Sequence, residues 1–194
     1  MSDAVKPRIL GRSVAYTCYL TVEKLHIQLA DGTLVFRDIE AHGDAAAVLP
    51  YDIERRCALV VRLFRAPVFS VTQEIAVEEA CAGMIEKEDA EAAARREASE
   101  ELGVALHGLE RVARIWSSPG VSTERQPLFL ASYVAADRVG KGGGLAGEHE
   151  GITVAERPLD QLARDLDEGR MVDGKLVTLI LALRLRRPEL FFPG

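Results

Sequence analysis

Three glutamates near the middle of the chain are the strongest candidates for residues that do chemistry. Glu97, Glu100 and Glu101 are three or four positions apart, a spacing that makes side chains neighbours on a helix surface. Carboxylates at this spacing repel one another by about 0.2–0.5 kcal/mol per pair in an isolated helix. A divalent cation reverses the sign, because hard ions such as Mg²⁺ or Mn²⁺ prefer carboxylate oxygen. The spacing alone is also compatible with a solvated acidic face that Arg95 and Arg96 neutralise.

The segment that carries these glutamates is predicted to be a helix from about Asp89 to Leu102. Its small apolar residues recur every four positions: Ala90, Ala94, Ala98 and Leu102. Such a stripe is typical of a helix face packed on a core, and Gly103 stands at a C-cap position. Glu97 and Glu101 each precede a stripe residue, so we expect them at the edge of the buried face.

The rest of the chain is predicted to form a mixed sheet with further helices. Strands are predicted over residues 18–29, 33–39, 45–50, 57–64, 75–79, 109–116, 128–134 and 152–158. The nearly continuous apolar run 57–64 is typical of a central strand. Asp31 and Gly32 favour a hairpin turn, the glycine-rich run 140–147 predicts a flexible loop, and residues 159–168 and 175–187 are predicted helices. This mixture indicates an α/β sandwich.

Length and composition narrow the class of protein. A chain of 194 residues with 48% hydrophobic residues can bury one full core without disulfides. Its net charge of -6 does not favour nucleic acid as a partner. We find no secretory signal and no apolar run long enough to span a membrane. The three cysteines are widely spaced, so we expect a reduced, cytoplasmic protein with no cysteine-based zinc site.

Residues 96–104, REASEELGV, resemble the second half of the Nudix hydrolase signature, R-E-U-x-E-E-x-G-U with U apolar, at every defined position. The first half of that signature has a glycine, five residues, a glutamate and seven residues before the arginine. Here Gly83 precedes a loop that is one residue short. Either Glu88, which keeps the spacing to Arg96, or Asp89, which keeps the spacing to Gly83, can stand at the glutamate position.

Further landmarks resemble the branch of this family that contains GDP-mannose and ADP-ribose pyrophosphatases, and the GDP-mannose type most closely. They are the sequence EACAG at 79–83, the turn at 118–120, the glycine-rich loop and the sequence DGK at 173–175. The resemblance implies a Nudix fold, an α/β/α sandwich around a mixed sheet. It also implies an N-terminal antiparallel β extension over residues 1–44, in the interface of a homodimer, and a hydrolase domain over residues 45–194.

The resemblance implies a metal site on the predicted helix, with Mg²⁺ as the cofactor and Mn²⁺ as a substitute. Glu97 and Glu101 would be the main ligands and catalytic carboxylates, with Glu100 and the backbone carbonyl of Ala82 beside them. Arg96 would orient a carboxylate of the signature.

Two glutamates after the glycine-rich loop are candidates for the catalytic base. Glu150 is preferred as base or additional metal ligand, with Glu148 in reserve, although both are also compatible with solvated loop acids.

Substrate contacts are implied at seven positions: Tyr19, Arg37, Arg65, Gly83, Met84, Glu124 and Lys175. Arg65 and Lys175 would bind phosphate, Glu124 the sugar or a metal, and Tyr19 would stack on the base in a neighbouring subunit's site. The alternatives are core packing for Tyr19 and ordinary surface charges for Arg37, Arg65, Glu124 and Lys175.

The implied reaction is hydrolysis of the pyrophosphate bond of a nucleoside diphosphate sugar. GDP-mannose, giving GMP and mannose 1-phosphate, is favoured over ADP-ribose, giving AMP and ribose 5-phosphate. A non-catalytic nucleotide sensor is the alternative of another class. The presence of Glu97, Glu100 and Glu101 argues against a sensor, since such proteins usually lose these carboxylates.

Overall fold

The computed structural model describes residues 5–145, 147 and 151–191, which divide into two compact units. The smaller unit contains the described residues up to Asp44 together with Trp116–Arg125. The larger unit contains Ala45–Ile115 and the described residues from Gln126 onward. No helix in these ranges is long and apolar enough to cross a membrane.

The smaller unit contains an antiparallel sheet of three strands, β1 (Arg8–Thr17), β2 (Thr21–Gln28) and β3 (Leu34–Ala41). The predicted hairpin joins β2 to β3 through residues 29–33, where Gly32 has a φ of 87° and the Asp31 carboxylate accepts a hydrogen bond from the Thr33 N–H. Strand β1 was not predicted. All of its residues are exposed, so its sequence lacks the alternation of a half-buried strand, and pairing with β2 supplies its backbone partners.

The larger unit is built on a mixed sheet with the strand order β10-β5-β4-β9-β8. These strands are β4 (Ala45–Asp52), β5 (Cys57–Leu63), β8 (Glu110–Trp116), β9 (Arg125–Ser132) and β10 (Thr153–Pro158). Strands β4 and β9 are parallel, whereas β5 is antiparallel to both β4 and β10. The prediction of a mixed sheet with 57–64 inside it is confirmed.

Two short strands fill a gap between the central strands. β4 and β5 pair directly only near their shared turn, at Tyr51 and Asp52. Beyond that point β6 (Val77–Glu79) pairs with β5, and β7 (Cys81–Met84) pairs with β4. Strand β7 was not predicted, since four residues are too few for a periodic signal. Its position brings the EACAG sequence into the middle of the sheet.

Helices cover both faces of this sheet. Alternate residues of β4 enter two separate buried clusters, with Leu49 on one side and Val48 on the other. The first cluster is closed by α3 (Leu159–Asp167) and α4 (Gly174–Arg186), and the second by α2 (Ala90–Leu102). The predicted α/β/α sandwich and its three helices are therefore confirmed. A fourth helix, α1 (Ala66–Thr72), was not predicted because it buries no residue and so has no apolar stripe.

Candidate active site

Helix α2 is fixed at both ends by the residues that flank it. The Asp89 side chain caps the first turn by accepting a hydrogen bond of 2.8 Å from the Ala92 N–H. Gly103 ends the helix with a φ of 65°, the left-handed conformation that glycine adopts at C-caps. Between them, Ala94, Ala98 and Leu102 are fully buried, as the stripe predicted.

The glutamates of α2 face strand β7. Glu101 is only 6% exposed, and its carboxylate accepts a hydrogen bond of 3.3 Å from the Ala82 N–H. Glu97 lies beside Gly83: a Cβ built there would lie within 2.6 Å of the carboxylate carbon and both oxygens. The structure therefore brings together four of the predicted site residues, Ala82, Gly83, Glu97 and Glu101.

Arg96 pairs with three glutamates of the site. Its guanidinium lies 2.7 Å from Glu97, 3.1 Å from Glu100 and 2.9 Å from Glu88, and it donates to the Met84 carbonyl at 2.9 Å. Partial burial opposes its charge, but these hydrogen bonds outweigh burial and raise the pKa of Arg96. The same pairing lowers the pKa of Glu88. The two candidates for the first glutamate of the signature therefore have different contacts. Glu88 pairs with Arg96, and Asp89 caps the helix.

The buried Cys81 thiol lies beside this cluster, at the start of β7. Burial raises its pKa well above the usual range, and the charges of Glu101, Glu97 and Glu100 raise it further. The glutamates of α2 therefore place negative charge next to the start of β7. Such a concentration of negative charge is what a bound cation would compensate.

A second charged cluster contacts Glu79 and Ala80, the first two residues of the EACAG segment. Arg65 donates to both oxygens of Glu79, at 2.6 and 3.0 Å, and Lys175 lies 3.2 Å from Glu79 and 2.7 Å from Asp173. Asp173 caps α4 through the N–H groups of Lys175 and Leu176. It also accepts a hydrogen bond of 3.1 Å from the Ala80 N–H.

In this second cluster, burial and the neighbouring charges shift the pKa values of Glu79 and Lys175 in opposite directions. The neighbouring charges and hydrogen bonds together have the larger effect. Burial alone would raise the pKa of Glu79, but Arg65 and Lys175 lower it. Burial alone would lower the pKa of Lys175, but Asp173 and Glu79 raise it. Lys175 is only 14% exposed on its side chain, so the alternative of a solvated surface lysine is wrong. The sequence indicates no role for Glu79 or Asp173, although both lie in the landmarks EACAG and DGK.

The first half of the glycine-rich loop is anchored rather than free. The Gly143 N–H donates to the Glu101 carbonyl at 2.8 Å, and the Gly144 N–H donates to the Glu100 carbonyl at 3.1 Å. The predicted flexible loop thus begins with residues held against the end of α2. Glu148 and Glu150 lie outside the described residues.

Three of the predicted substrate residues belong to the smaller unit. Tyr19 lies between β1 and β2 with a fully exposed side chain, so the alternative of core packing is wrong. Arg37 is exposed on β3 and donates to the Phe36 carbonyl. Glu124 is partly buried, and its backbone pairs with Ser117 and Ser122.

Comparison with known sequences decides the family. Residues 41–179 match the model of the NUDIX domain.

The chain belongs to the Nudix hydrolase family.

Its relatives include proteins named GDP-mannose pyrophosphatase. One from Cronobacter sakazakii is 32% identical over 189 residues, which cover 95% of each chain. One from Klebsiella pneumoniae is 31% identical over 183 residues, which cover 93% of this chain and 90% of the relative. A crystal structure described as an ADP compounds hydrolase matches with a TM-score of 0.75 and 19% identity, covering 93% of this chain and 94% of the other. That match confirms the Nudix fold.

Nudix hydrolases generally use divalent metal ions, and the donors on α2 fit such an ion. In the described part of the chain no three His, Cys, Asp or Glu side chains are already arranged to hold a metal. Arg96 instead holds two of the carboxylates, and the Ala82 N–H holds a third. The donors are carboxylate oxygens, which suit hard cations.

Proposed function

We propose that this Nudix hydrolase cleaves the pyrophosphate bond of nucleoside diphosphate sugars with Mg²⁺, and that GDP-mannose is its preferred substrate. The products would be GMP and mannose 1-phosphate. The observation that carries the reaction is the position of Glu97 and Glu101 against β7, with Glu100 joined to Glu97 through Arg96. The substrate is supported by relatives named GDP-mannose pyrophosphatase that align over nearly the whole chain.

Glu97 and Glu101 would be the main metal ligands, with Glu100 and the Ala82 carbonyl completing the site. When bound, the metal would neutralise the charge of the pyrophosphate and lower the pKa of water; Mn²⁺ can serve in place of Mg²⁺. Arg96 orients Glu97 and Glu100, as ligand carboxylates are commonly held by hydrogen bonds.

Glu150 would act as the base that takes a proton from the attacking water, with Glu148 in reserve. Water attacks phosphorus, the phosphorus–oxygen bond of the anhydride breaks, and its electron pair leaves with the second phosphate. Both glutamates follow the anchored glycines along the chain, which supports placing this role in the loop.

Arg65 would contact the pyrophosphate. Its side chain is 43% exposed, so a substrate phosphate can approach the guanidinium while Glu79 holds it in place. Lys175 could bind phosphate only by leaving Glu79 and Asp173, so we assign it a lesser role. Gly83 and Met84 would contact the substrate from β7.

The smaller unit would contribute the base and sugar contacts and the interface of a homodimer. We assign stacking on the base in a neighbouring subunit's site to Tyr19, a contact with that same site to Arg37, and a contact with the sugar or a metal to Glu124. Strand β1 exposes an unusual number of apolar side chains: Ile9, Leu10, Val14 and Tyr16. A second copy of the chain would cover such a strand, which is otherwise prone to association. Sedimentation equilibrium tests this point, and a monomeric mass would overturn it.

Substrate hydrolysis tests the proposed function directly. The purified protein is incubated with Mg²⁺ and GDP-mannose, ADP-ribose or ADP-glucose, and the products are identified. We expect GMP and mannose 1-phosphate to form fastest. A preference for ADP-ribose would retain the reaction and overturn the substrate. Binding without hydrolysis of any of these compounds would favour the nucleotide sensor.

A further inference from the structure

The glycine-rich segment 140–144 packs its backbone against the last turn of helix α2. Gly143 and Gly144 donate hydrogen bonds to the carbonyls of Glu101 and Glu100, at 2.8 and 3.1 Å. The Gly140 N–H donates to the Gly103 carbonyl at 3.2 Å. The segment thus contacts the same turn that carries two of the glutamates assigned above to the metal site.

These hydrogen bonds supply partners that the helix itself lacks. The last four carbonyls of an α-helix have no intrahelical donor, and this end of a helix has a partial negative charge. In α2 the C-cap glycine, Gly103, donates to Ala98 and Ser99. The next two carbonyls belong to Glu100 and Glu101, and the glycine segment provides their donors. Carboxylates near a helix C-terminus are disfavoured, so these donors offset part of a local excess of negative charge.

The close backbone contact requires glycine. Gly142, Gly143 and Gly144 have φ angles of 68°, 108° and 75°, which side chains of L-residues rarely allow. A Cβ at Gly142 would also lie within 2.8 Å of backbone atoms of Glu101 and Leu102. Any side chain at Gly142 must therefore displace the segment from the helix.

We propose that Gly142 and Gly143 are positioning residues for the metal site. The segment acts as an external C-cap that holds the last turn of α2. It thereby fixes the backbone from which the Glu101 carboxylate extends to Ala82 on β7 and the Glu100 carboxylate extends to Arg96. This inference rests on the proposed function only in taking those carboxylates as metal ligands.

Three alanine variants separate the effects of contact and conformation. Gly142→Ala introduces both the collision and the unfavourable φ. Gly143→Ala introduces the unfavourable φ alone, since the nearest atom to its Cβ is the Ile152 carbonyl oxygen at 3.7 Å. Gly140→Ala is the matched control from the same segment: its nearest atom is 4.0 Å away, its φ is ordinary, and it keeps its N–H.

The test measures metal affinity without substrate. Wild type and variants are titrated with Mn²⁺ alone by calorimetry, and amide exchange of residues 139–145 is followed by mass spectrometry. We expect the Mn²⁺ dissociation constant to rise about 10-fold or more in Gly142→Ala, as for other supports of metal ligands. The rise should be smaller in Gly143→Ala and absent in Gly140→Ala. Exchange in the segment should accelerate in the same order.

Two results would overturn the proposal, and a second variant covers the case in which Gly142→Ala does not fold. If Gly142→Ala binds Mn²⁺ as wild type does, the segment does not position the ligands. If Gly142→Ala does not fold, as judged by thermal unfolding, Gly143→Ala replaces it. Binding of Mn²⁺ by Gly143→Ala as in wild type would then overturn the proposal. If wild type binds no Mn²⁺, the assignment of the metal site fails as well, and that result is distinguishable because it involves no variant.

Discussion

The carboxylate of Glu97 occupies the space that a side chain at Gly83 would need, with all three of its atoms within 2.6 Å of a Cβ built there. Replacing Gly83 with alanine must therefore move either the carboxylate or strand β7. A displacement of about 1 Å at a catalytic group can cost 10²-fold in rate, so we expect Gly83→Ala to reduce kcat/KM by roughly that factor.

Gly108→Ala is the control for this substitution. Nothing lies within 4 Å of its Cβ, and we expect it to retain the wild-type rate. Steady-state hydrolysis of GDP-mannose by the two variants provides the comparison. Equal rates for Gly83→Ala and Gly108→Ala would show that hydrolysis does not depend on the present position of Glu97.

Asp173 joins helix α4 to the segment that precedes the metal site. It caps α4 and accepts from the Ala80 N–H, two residues before Ala82. Loss of an N-cap costs about 1 kcal/mol, so Asp173→Ala should lower the free energy of unfolding by at least that amount. Asp173→Asn keeps a capping oxygen and should cost less.

Urea denaturation measures these effects. Asp160→Ala removes an exposed aspartate from the first turn of α3 and should cost less than about 1 kcal/mol. An Asp173→Ala protein as stable as wild type would show that Asp173 does not stabilise α4 and the segment before Ala82.

The stability of the larger unit should depend on pH through Glu79. Arg65 and Lys175 lower the pKa of this buried carboxylate below its usual 4.5. Its contribution to stability is therefore complete above about pH 4.5 and is lost as the pH falls through the lowered value. Glu79→Gln should be less stable than wild type at pH 7, by about 3 kcal/mol, because Arg65 loses the carboxylate that it contacts twice and Lys175 keeps only Asp173 of its two carboxylates.

Urea denaturation between pH 3 and pH 7 measures this dependence, since we expect the difference between wild type and Glu79→Gln to shrink toward the acid end. Glu91→Gln, which removes an exposed partner of Arg95, serves as the control. A constant difference across this range would mean that Glu79 does not titrate as the structure indicates.

Much of the larger unit follows from sequence because its signals are local. The four-residue repeat of small apolar residues and Gly103 predict α2, and the apolar run 57–64 predicts β5, which the structure confirms. Strand β1 and helix α1 escape prediction for the same reason: neither buries a face, so neither has a periodic pattern.

The candidate site is predictable only where its residues are close in sequence. The glutamates of α2 are recognisable from their spacing. The cluster of Arg65, Glu79, Asp173 and Lys175 depends on contacts between residues as many as 96 positions apart, which no local pattern encodes. This is why Lys175 was predicted as a phosphate ligand or a solvated lysine, whereas the structure pairs it with two buried carboxylates.

The loop base should be identified by two isosteric substitutions. We expect Glu150→Gln to lower kcat by roughly 10²-fold or more, because a glutamine cannot accept the proton from water. Glu148→Gln should have a smaller effect. The pH dependence of kcat distinguishes loss of a base from a change in structure, since only the former removes the acidic limb of the profile. The reverse order of effects would assign the base to Glu148.

Glu101 provides the most direct test of the claim that α2 carries a catalytic metal site. We would measure Mg²⁺-dependent hydrolysis of GDP-mannose by Glu101→Gln, with Glu91→Gln on the same helix as control and circular dichroism to verify folding. We expect a loss of at least roughly 10²-fold in kcat for Glu101→Gln, with an intact fold, and wild-type activity for the control. Undiminished hydrolysis by folded Glu101→Gln would show that Glu101 does not hold a catalytic metal.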